Sequence, residues 1–380
     1  MLCENCFSTN IIKQKCPTCD WITGSEPEDP QLLKPGSLLS ERFRVGLLLG
    51  QGGFALTYLG WDDTLSLKVA IKEYFPSRIV TRTDEFSCAP MSKHRDEFKA
   101  GKSSFLEEAR LVAGFENHPG IVSVRDFFEE NGTAYMVMEF LDGHSLKEHL
   151  DGHDGGQLPW NEAVEIMIPV LDSLREVHQR KDSKQSKMLH RDISPDNIYI
   201  TNEGQIKLID FGAARFVSLK QSKSLTRVLK DGYAPEEQYR TRGKQGPWTD
   251  VYSCGATLYR MITGELPDNA QDRLDEDVMQ PPSSFGITIP DSSEQALLKA
   301  MAVKYKDRWQ NVEEFQQELI KSNGLSDDYD FRTARISETE EYELHETIDE
   351  LTRVNAGLQE ELDLLIDQKK ESDQIRYQLP

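Results

Sequence analysis

The hydrophobic period of this chain changes once, near residue 141, and that change limits the folds open to it. Before it, apolar and polar residues alternate. Phe43, Val45, Leu47 and Leu49 fall on one face of a strand, "LKVAIKEYF" alternates again, and two β-rich runs flank the hairpin pair Asn131-Gly132. One helical stretch interrupts them, "FLEEARLVAGF", with Leu106, Ala109, Val112 and Ala113 in helical spacing. After residue 141 the period is mostly 3.6, clearest where Val164, Met167, Val170, Leu171, Leu174 and Val177 form one stripe. A small antiparallel sheet with one helix, then a larger helical part, predicts an α+β, two-lobed unit over residues 41–323, divided near 140.

Both ends lie outside this pattern. Residues 1–22 hold four of the six cysteines as two Cys-x-x-Cys pairs, Cys3/Cys6 and Cys16/Cys19, nine residues apart. Each pair suits a knuckle turn that aims two thiolates at one point, and four thiolates make a closed structural zinc site. So short a segment buries no core, and metal binding would supply most of its folding energy. Redox pairing and disulfides are the competing readings. The N-terminus lacks a basic stretch followed by an apolar one, so a cytoplasmic location is expected, where thiols stay reduced and zinc is favoured. The segment resembles the zinc ribbons found at the ends of many proteins, and residues 23–40, rich in Pro, Gly and acid, read as a linker.

At the other end, an acidic linker (324–342) precedes a helical pattern over 343–375. Leu344, Ile348, Leu351, Asn355, Leu358, Leu362 and Leu365 repeat there in 4-3 spacing, with Asn355 at an a position. That pattern predicts a coiled-coil helix and a homodimer through it, with docking on the same chain or on a partner as the alternative. Net charge is −21, and residues 326–380 contribute sixteen acidic against six basic side chains. Such a chain repels phosphate backbones, so nucleic acid is not an expected partner. The best apolar stretch is broken by Arg260, so no membrane span is expected.

Two features of the first lobe carry chemistry. Gly50-x-Gly52-x-x-Ala55 could be read as a dinucleotide fingerprint, but a strand follows it where that fold needs a helix. The turn formed by Gly50, Gln51, Gly52, Gly53, Phe54 and Ala55 can instead close bare backbone over phosphates. Lys72 stands on a strand among Val69, Ala70 and Ile71, where burial requires an acidic partner. Glu108 on the following helix is expected to supply it, with Glu107 as the alternative.

The ordered series "GQGGFA", "VAIK", "HRDISPDN", "DFG" (Asp210 to Gly212), "APE" (Ala234 to Glu236), "DVYSCG" and "DRWQ" resembles the eukaryotic-type protein kinases, and its wording is most similar to bacterial serine/threonine kinases. The resemblance implies the bilobal protein-kinase fold, ATP and Mg2+ as cofactors (with Mn2+ as a substitute) and protein hydroxyls as substrates. Carried over residue by residue, it makes Asp192 the base, Asn197 and Asp210 the magnesium ligands, and Lys72 the holder of the α- and β-phosphates. Ala70, Met138 at the gatekeeper position, Glu139 and Leu141 would then line the adenine. Glu236 and Arg308 match a pair inside the helical lobe, and Asp250 matches the aspartate beneath the catalytic loop. Lys72 and Glu108 are 36 positions apart, which implies an insertion after "EYFP".

One residue departs from the pattern. Ser194 stands where the family usually has a lysine that reaches the transferring phosphate. Loss of such a charge is worth about 2–4 kcal/mol, or about 10²–10³ in rate. The expectation is a weakened but active kinase, because Lys72, Asp192, Asn197 and Asp210 remain; the alternative is a pseudokinase acting as a nucleotide-gated scaffold. Arg191 beside the catalytic aspartate suggests control by a phosphate on the activation segment, at Thr226 or next at Ser224.

Overall fold

A computed structural model describes residues 2–9, 11–12, 14–84, 86–115, 118–181, 187–211, 215–216, 229–240 and 242–323. The coiled-coil expectation over 343–375, and Ser224 and Thr226, fall outside these residues.

The first lobe is a six-stranded antiparallel sheet in the order β1-β2-β3-β4-β8-β7. Its strands are β1 (Leu38–Leu39), β2 (Phe43–Gln51), β3 (Ala55–Asp62), β4 (Leu67–Tyr74), β7 (Val124–Glu130) and β8 (Thr133–Glu139). Between β4 and β8 the chain adds a small hairpin, β5 (Val80–Arg82) and β6 (Cys88–Pro90), then helix α1 (Arg95–Ala113). Asn131 and Gly132 both have positive φ, 52° and 78°, as the tight β7–β8 turn requires. The core of this lobe gathers Phe43, Val45, Tyr58, Ile71, Tyr135 and Val137 against Phe105 and Ala109 of α1.

The second lobe contains β9 (Gly143–Ser145), α2 (Leu146–Asp151), α3 (Trp160–Gln179), β10 (Met188–Leu189), β11 (Ile198–Thr201), β12 (Ile206–Leu208), β13 (Arg215–Phe216), α4 (Glu236–Tyr239), α5 (Pro247–Thr263), α6 (Asp291–Ala300) and α7 (Val312–Ser322). Helix α3 buries the whole expected stripe from Val164 to Val177 and packs against α5 and α7. No helix among the described residues is long and apolar enough to cross a membrane.

Three sequence expectations change here. The alternation expected through Leu49 fails in β2, because the pairing with β3 slips between Val45 and Leu48. Two residues of β2, Gly46 and Leu47, then face one of β3, Leu59, a bulge that turns Leu48 toward the core, and a second slip between Leu48 and Gly50 leaves Leu49 opposite no residue of β3 and exposed. The second half of the 23–40 linker is not a linker: Leu33 and Leu39 are buried, and β1 pairs with the start of β2. Its polar composition hid two well-spaced leucines.

The third correction concerns the pair within the helical lobe. Arg308 is met by Glu237, at 2.8 and 3.2 Å, with both side chains fully buried. Glu236 instead lies 2.6 Å from Arg240, one helical turn on. Both glutamates are buried, but adjacent helical residues point about 100° apart, so only one of them can reach Arg308. In urea unfolding, Glu237→Gln is expected to cost about 1.5–3 kcal/mol by removing a charged acceptor from a buried arginine. Glu236→Gln, which leaves the Arg308–Glu237 pair intact and changes only the partner of the half-exposed Arg240, should cost less than Glu237→Gln. The reverse order would restore the original pairing.

The bulge in β2 has an occupant. The amide of Leu47 donates to the carbonyl of Asn5 at 2.8 Å, and the Phe7 ring lies 5.9 Å from that of Trp61 on β3. A Cβ on Gly46 would sit 2.5 Å from the Asn5 carbonyl oxygen, so only glycine allows the cysteine segment this close. That segment is therefore seated on the first lobe.

Candidate active site

Strand β4 alternates as its sequence requires. Val69, Ile71 and Glu73 enter the buried face, while Ala70 and Lys72 face the cleft between the lobes. The Lys72 ammonium lies 2.8 Å from Asp210 and 3.5 Å from Glu108. Burial would depress its pKa, but the charges of Asp210 and then Glu108 outweigh this and hold it well above the usual lysine range. Glu108 is buried on the inner face of α1 and Glu107 is exposed, so the expected partner is the one in place.

Above this pair is the glycine turn. Gly52 donates its amide to the Ala55 carbonyl at 2.9 Å, which closes the turn between β2 and β3. A Cβ on Gly50 or Gly53 would meet nothing within 4 Å, so packing does not require these glycines. Open space over bare backbone is what a phosphate-covering turn needs. At the back of the cleft, Ala70 is paired with Met138 across β4 and β8. The Glu139 carboxylate turns away, accepting from Lys207 at 2.6 Å and from the Ser123 amide at 2.8 Å. The Leu141 carbonyl accepts from the Tyr199 hydroxyl at 3.3 Å.

The catalytic loop is held from below. Asp250, fully buried at the start of α5, accepts from the amides of His190 (2.9 Å) and Arg191 (2.7 Å) and contacts His178 Nε2 at 2.7 Å. Burial alone would raise its pKa; the His178 contact, the nearby His190 and the Arg191 amide hold it below the usual carboxylate range. Arg191 has φ +67° and is also fixed through its carbonyl by Gln238 at 2.9 Å. Asn197 donates its side-chain amide to the Asp192 carbonyl at 2.7 Å, and its own carbonyl accepts from the Ile209 amide at 3.0 Å. Asp210 follows β12 with φ +57°, an uncommon backbone for a non-glycine residue. Phe211 beyond it packs between His190 and Phe115.

Lys72, Glu108, Asp192, Asn197 and Asp210 thus converge on one cleft from β4, α1, the loop before β11 and the loop after β12. Missed at the level of sequence was Lys230, whose ammonium lies 2.7 Å from Ser194 Oγ and 3.1 Å from Asp196. No periodicity or motif marks it.

A two-lobed fold with an ion-paired strand lysine above an aspartate-bearing loop defines a phosphotransferase architecture. The chain belongs to the protein kinase domain family, whose model matches residues 43–323. It is similar to the serine/threonine-protein kinase PknB of Mycobacterium leprae, 32% identical over 296 residues covering 74% of this chain and 43% of that protein. It is also similar to the serine/threonine-protein kinase PrkC of Bacillus subtilis, 29% identical over 290 residues covering 75% and 41%. Among solved structures, the apo form of PpkA-294 is 34% identical with a TM-score of 0.65, covering 76% of this chain and 99% of that one. The chain spans about two fifths of the length of the curated relatives it matches.

Proposed function

We propose that this chain transfers the γ-phosphate of ATP to serine or threonine hydroxyls of proteins. The observation that carries this reading is the Lys72 ammonium held between Glu108 and Asp210 while Asp192 and Asn197 sit on a loop fixed by Asp250. Lys72 takes the α- and β-phosphates. Asp192 accepts the proton of the attacking hydroxyl and orients it. Asn197 and Asp210 would hold Mg2+, a hard cation suited to their oxygens, which would supply charge neutralisation for the phosphates. Because Asn197 uses its amide nitrogen on the Asp192 carbonyl, its oxygen is the atom presented to the metal.

The test is phosphate transfer from labelled ATP with Mg2+, to the protein itself and to a generic protein substrate, beside Asp192→Asn. Label that appears with the wild type and not with the variant supports the reading. ATP bound without transfer would replace it with a nucleotide-gated scaffold. Phosphate control of Arg191 through Thr226 or Ser224 is part of the same proposal, as is pairing of two copies through residues 343–375.

The cysteine segment is proposed to hold structural Zn2+. Cys3 and Cys19 sulfurs lie 3.7 Å apart, Cys6 and Cys16 3.6 Å apart, and all four lie within 4.8 Å of one another. Zinc–sulfur bonds of about 2.3 Å place tetrahedral sulfurs about 3.8 Å apart, so the thiols fit the ion. Six free cysteines, with no disulfide among the described residues, suit a reducing, cytoplasmic compartment. Elemental analysis of purified protein is expected to find one zinc per chain, and Cys16→Ser should lose it. Metal-free protein with an intact first lobe would refute the assignment.

A further inference from the structure

Ser194 leaves the catalytic loop without the charge that reaches the transferring phosphate, and the structure brings a cation to the same place from elsewhere in the chain. Ser194 is fully buried, and its backbone is extended, with φ −165° and ψ 167°. Its hydroxyl accepts from Lys230 Nζ at 2.7 Å. Lys230 is 36 residues downstream, just before the turn that leads into α4. Its carbonyl accepts from the amides of Tyr233 (3.2 Å) and Ala234 (3.0 Å), so the backbone that carries the ammonium is tied to the helical lobe. The side chain itself is one-third exposed and reaches Asp196, a surface carboxylate it can leave at little cost.

We propose that Lys230 supplies the positive charge missing at position 194 and contacts the γ-phosphate during transfer, with the Ser194 hydroxyl steering the ammonium into place. This inference rests on the phosphotransfer reading. Ser194 is two residues from Asp192, so an ammonium within hydrogen-bond reach of its hydroxyl is close to where the phosphate meets the attacking oxygen. The charge is then delivered by the segment that leads into α4. A lysine at 194 would be present whatever that segment does. A lysine at 230 is present only when that segment is in this arrangement, so the electrostatic part of catalysis becomes conditional on it.

The experiment compares kcat and KM for ATP in the full chain, as wild type, Lys230→Met, Lys230→Arg and the double variant Ser194→Lys/Lys230→Met. Lys230→Met is expected to lower kcat by about 10²–10³-fold, with KM for ATP changing by less than about threefold, because the charge acts on the transition state. Lys230→Arg should retain more of kcat than the methionine variant. The double variant should recover at least about tenfold over Lys230→Met, since it returns the cation to the loop. Wild-type kcat in Lys230→Met overturns the inference. So does a fall in kcat that tracks loss of folded protein by circular dichroism, or a folded double variant with no recovery. If the wild type transfers no phosphate, it is the kinase reading that fails.

Discussion

Asp192→Asn is expected to lower phosphoryl transfer by about 10²–10⁴-fold while the protein stays folded and binds nucleotide. Geometry explains why the loss should be selective. The loop is held by main-chain atoms and by Asp250: the His190 and Arg191 amides bond Asp250, and the Asp192 carbonyl accepts from Asn197. None of these bonds uses the Asp192 carboxylate, so an isosteric amide leaves the loop in place. What disappears is the acceptor for the substrate proton, since an asparagine oxygen is far less basic than a carboxylate. Single-turnover transfer, nucleotide affinity and melting temperature should be read on the same preparation. Transfer within about tenfold of wild type, below the usual range for removing a general base, would mean that Asp192 is not that base. An equal loss of nucleotide binding would point instead to a damaged cleft.

Arg82→Ala is expected to destabilise the protein by about 3–5 kcal/mol, a large share of the roughly 5–15 kcal/mol that holds a typical domain folded. Glu73, next to the site lysine on β4, points into the opposite face of the sheet and is fully buried. Its carboxylate accepts from Arg82 at 2.8 Å, from the Tyr58 hydroxyl at 3.2 Å and from the Tyr135 hydroxyl at 3.1 Å. Burial first, and then the Glu73 charge, hold both phenols well above their usual range, so both remain protonated donors. Without the guanidinium, a buried charge keeps only neutral partners. The same arginine ties neighbouring segments together, donating to the carbonyls of Gln31 (2.9 Å) and Phe86 (2.7 Å). Replacing the pair as Arg82→Met/Glu73→Leu should recover much of the loss, because breaking a buried pair costs more than removing both charges. Urea unfolding of the three proteins decides it. A loss under about 1 kcal/mol for Arg82→Ala would show that Glu73 is solvated or neutral.

Much of the first lobe and the core of the site could be read from residues alone. A lysine inside an alternating apolar strand needs a buried acid, and Glu108, one helical turn before Val112, is the acid that faces inward. Asn131-Gly132 takes the positive φ angles its composition permits. What escaped were features set by tertiary contact. At the β2 bulge the Leu47 amide bonds the carbonyl of Asn5, a partner more than forty residues away that no local period records. Glu236 and Glu237 carry the same side chain, and only the phase of α4 against α5 selects the one that meets Arg308. Arg82 sits in an insertion whose short strands show too few alternations to be recognised, so its bond to Glu73 could not be anticipated. Lys230 lies in a polar stretch where one more lysine carries no signal until the turn at 230–234 aims it at Ser194.

The bond between Lys72 and Asp210 joins a strand of one lobe to a loop of the other, and its consequence is one of binding order. Each group neutralises its partner at 2.8 Å. On the proposed roles, Lys72 would turn to phosphates by loosening from Asp210, and Asp210 would turn to a metal by loosening from Lys72. Each departure frees the group that the other ligand needs. The two affinities are therefore thermodynamically coupled, and the factor by which metal tightens nucleotide equals the factor by which nucleotide tightens metal. Neither ligand alone recovers the full free energy of breaking the pair. On the proposed function, such a cleft would discriminate against nucleotide that arrives without its cation.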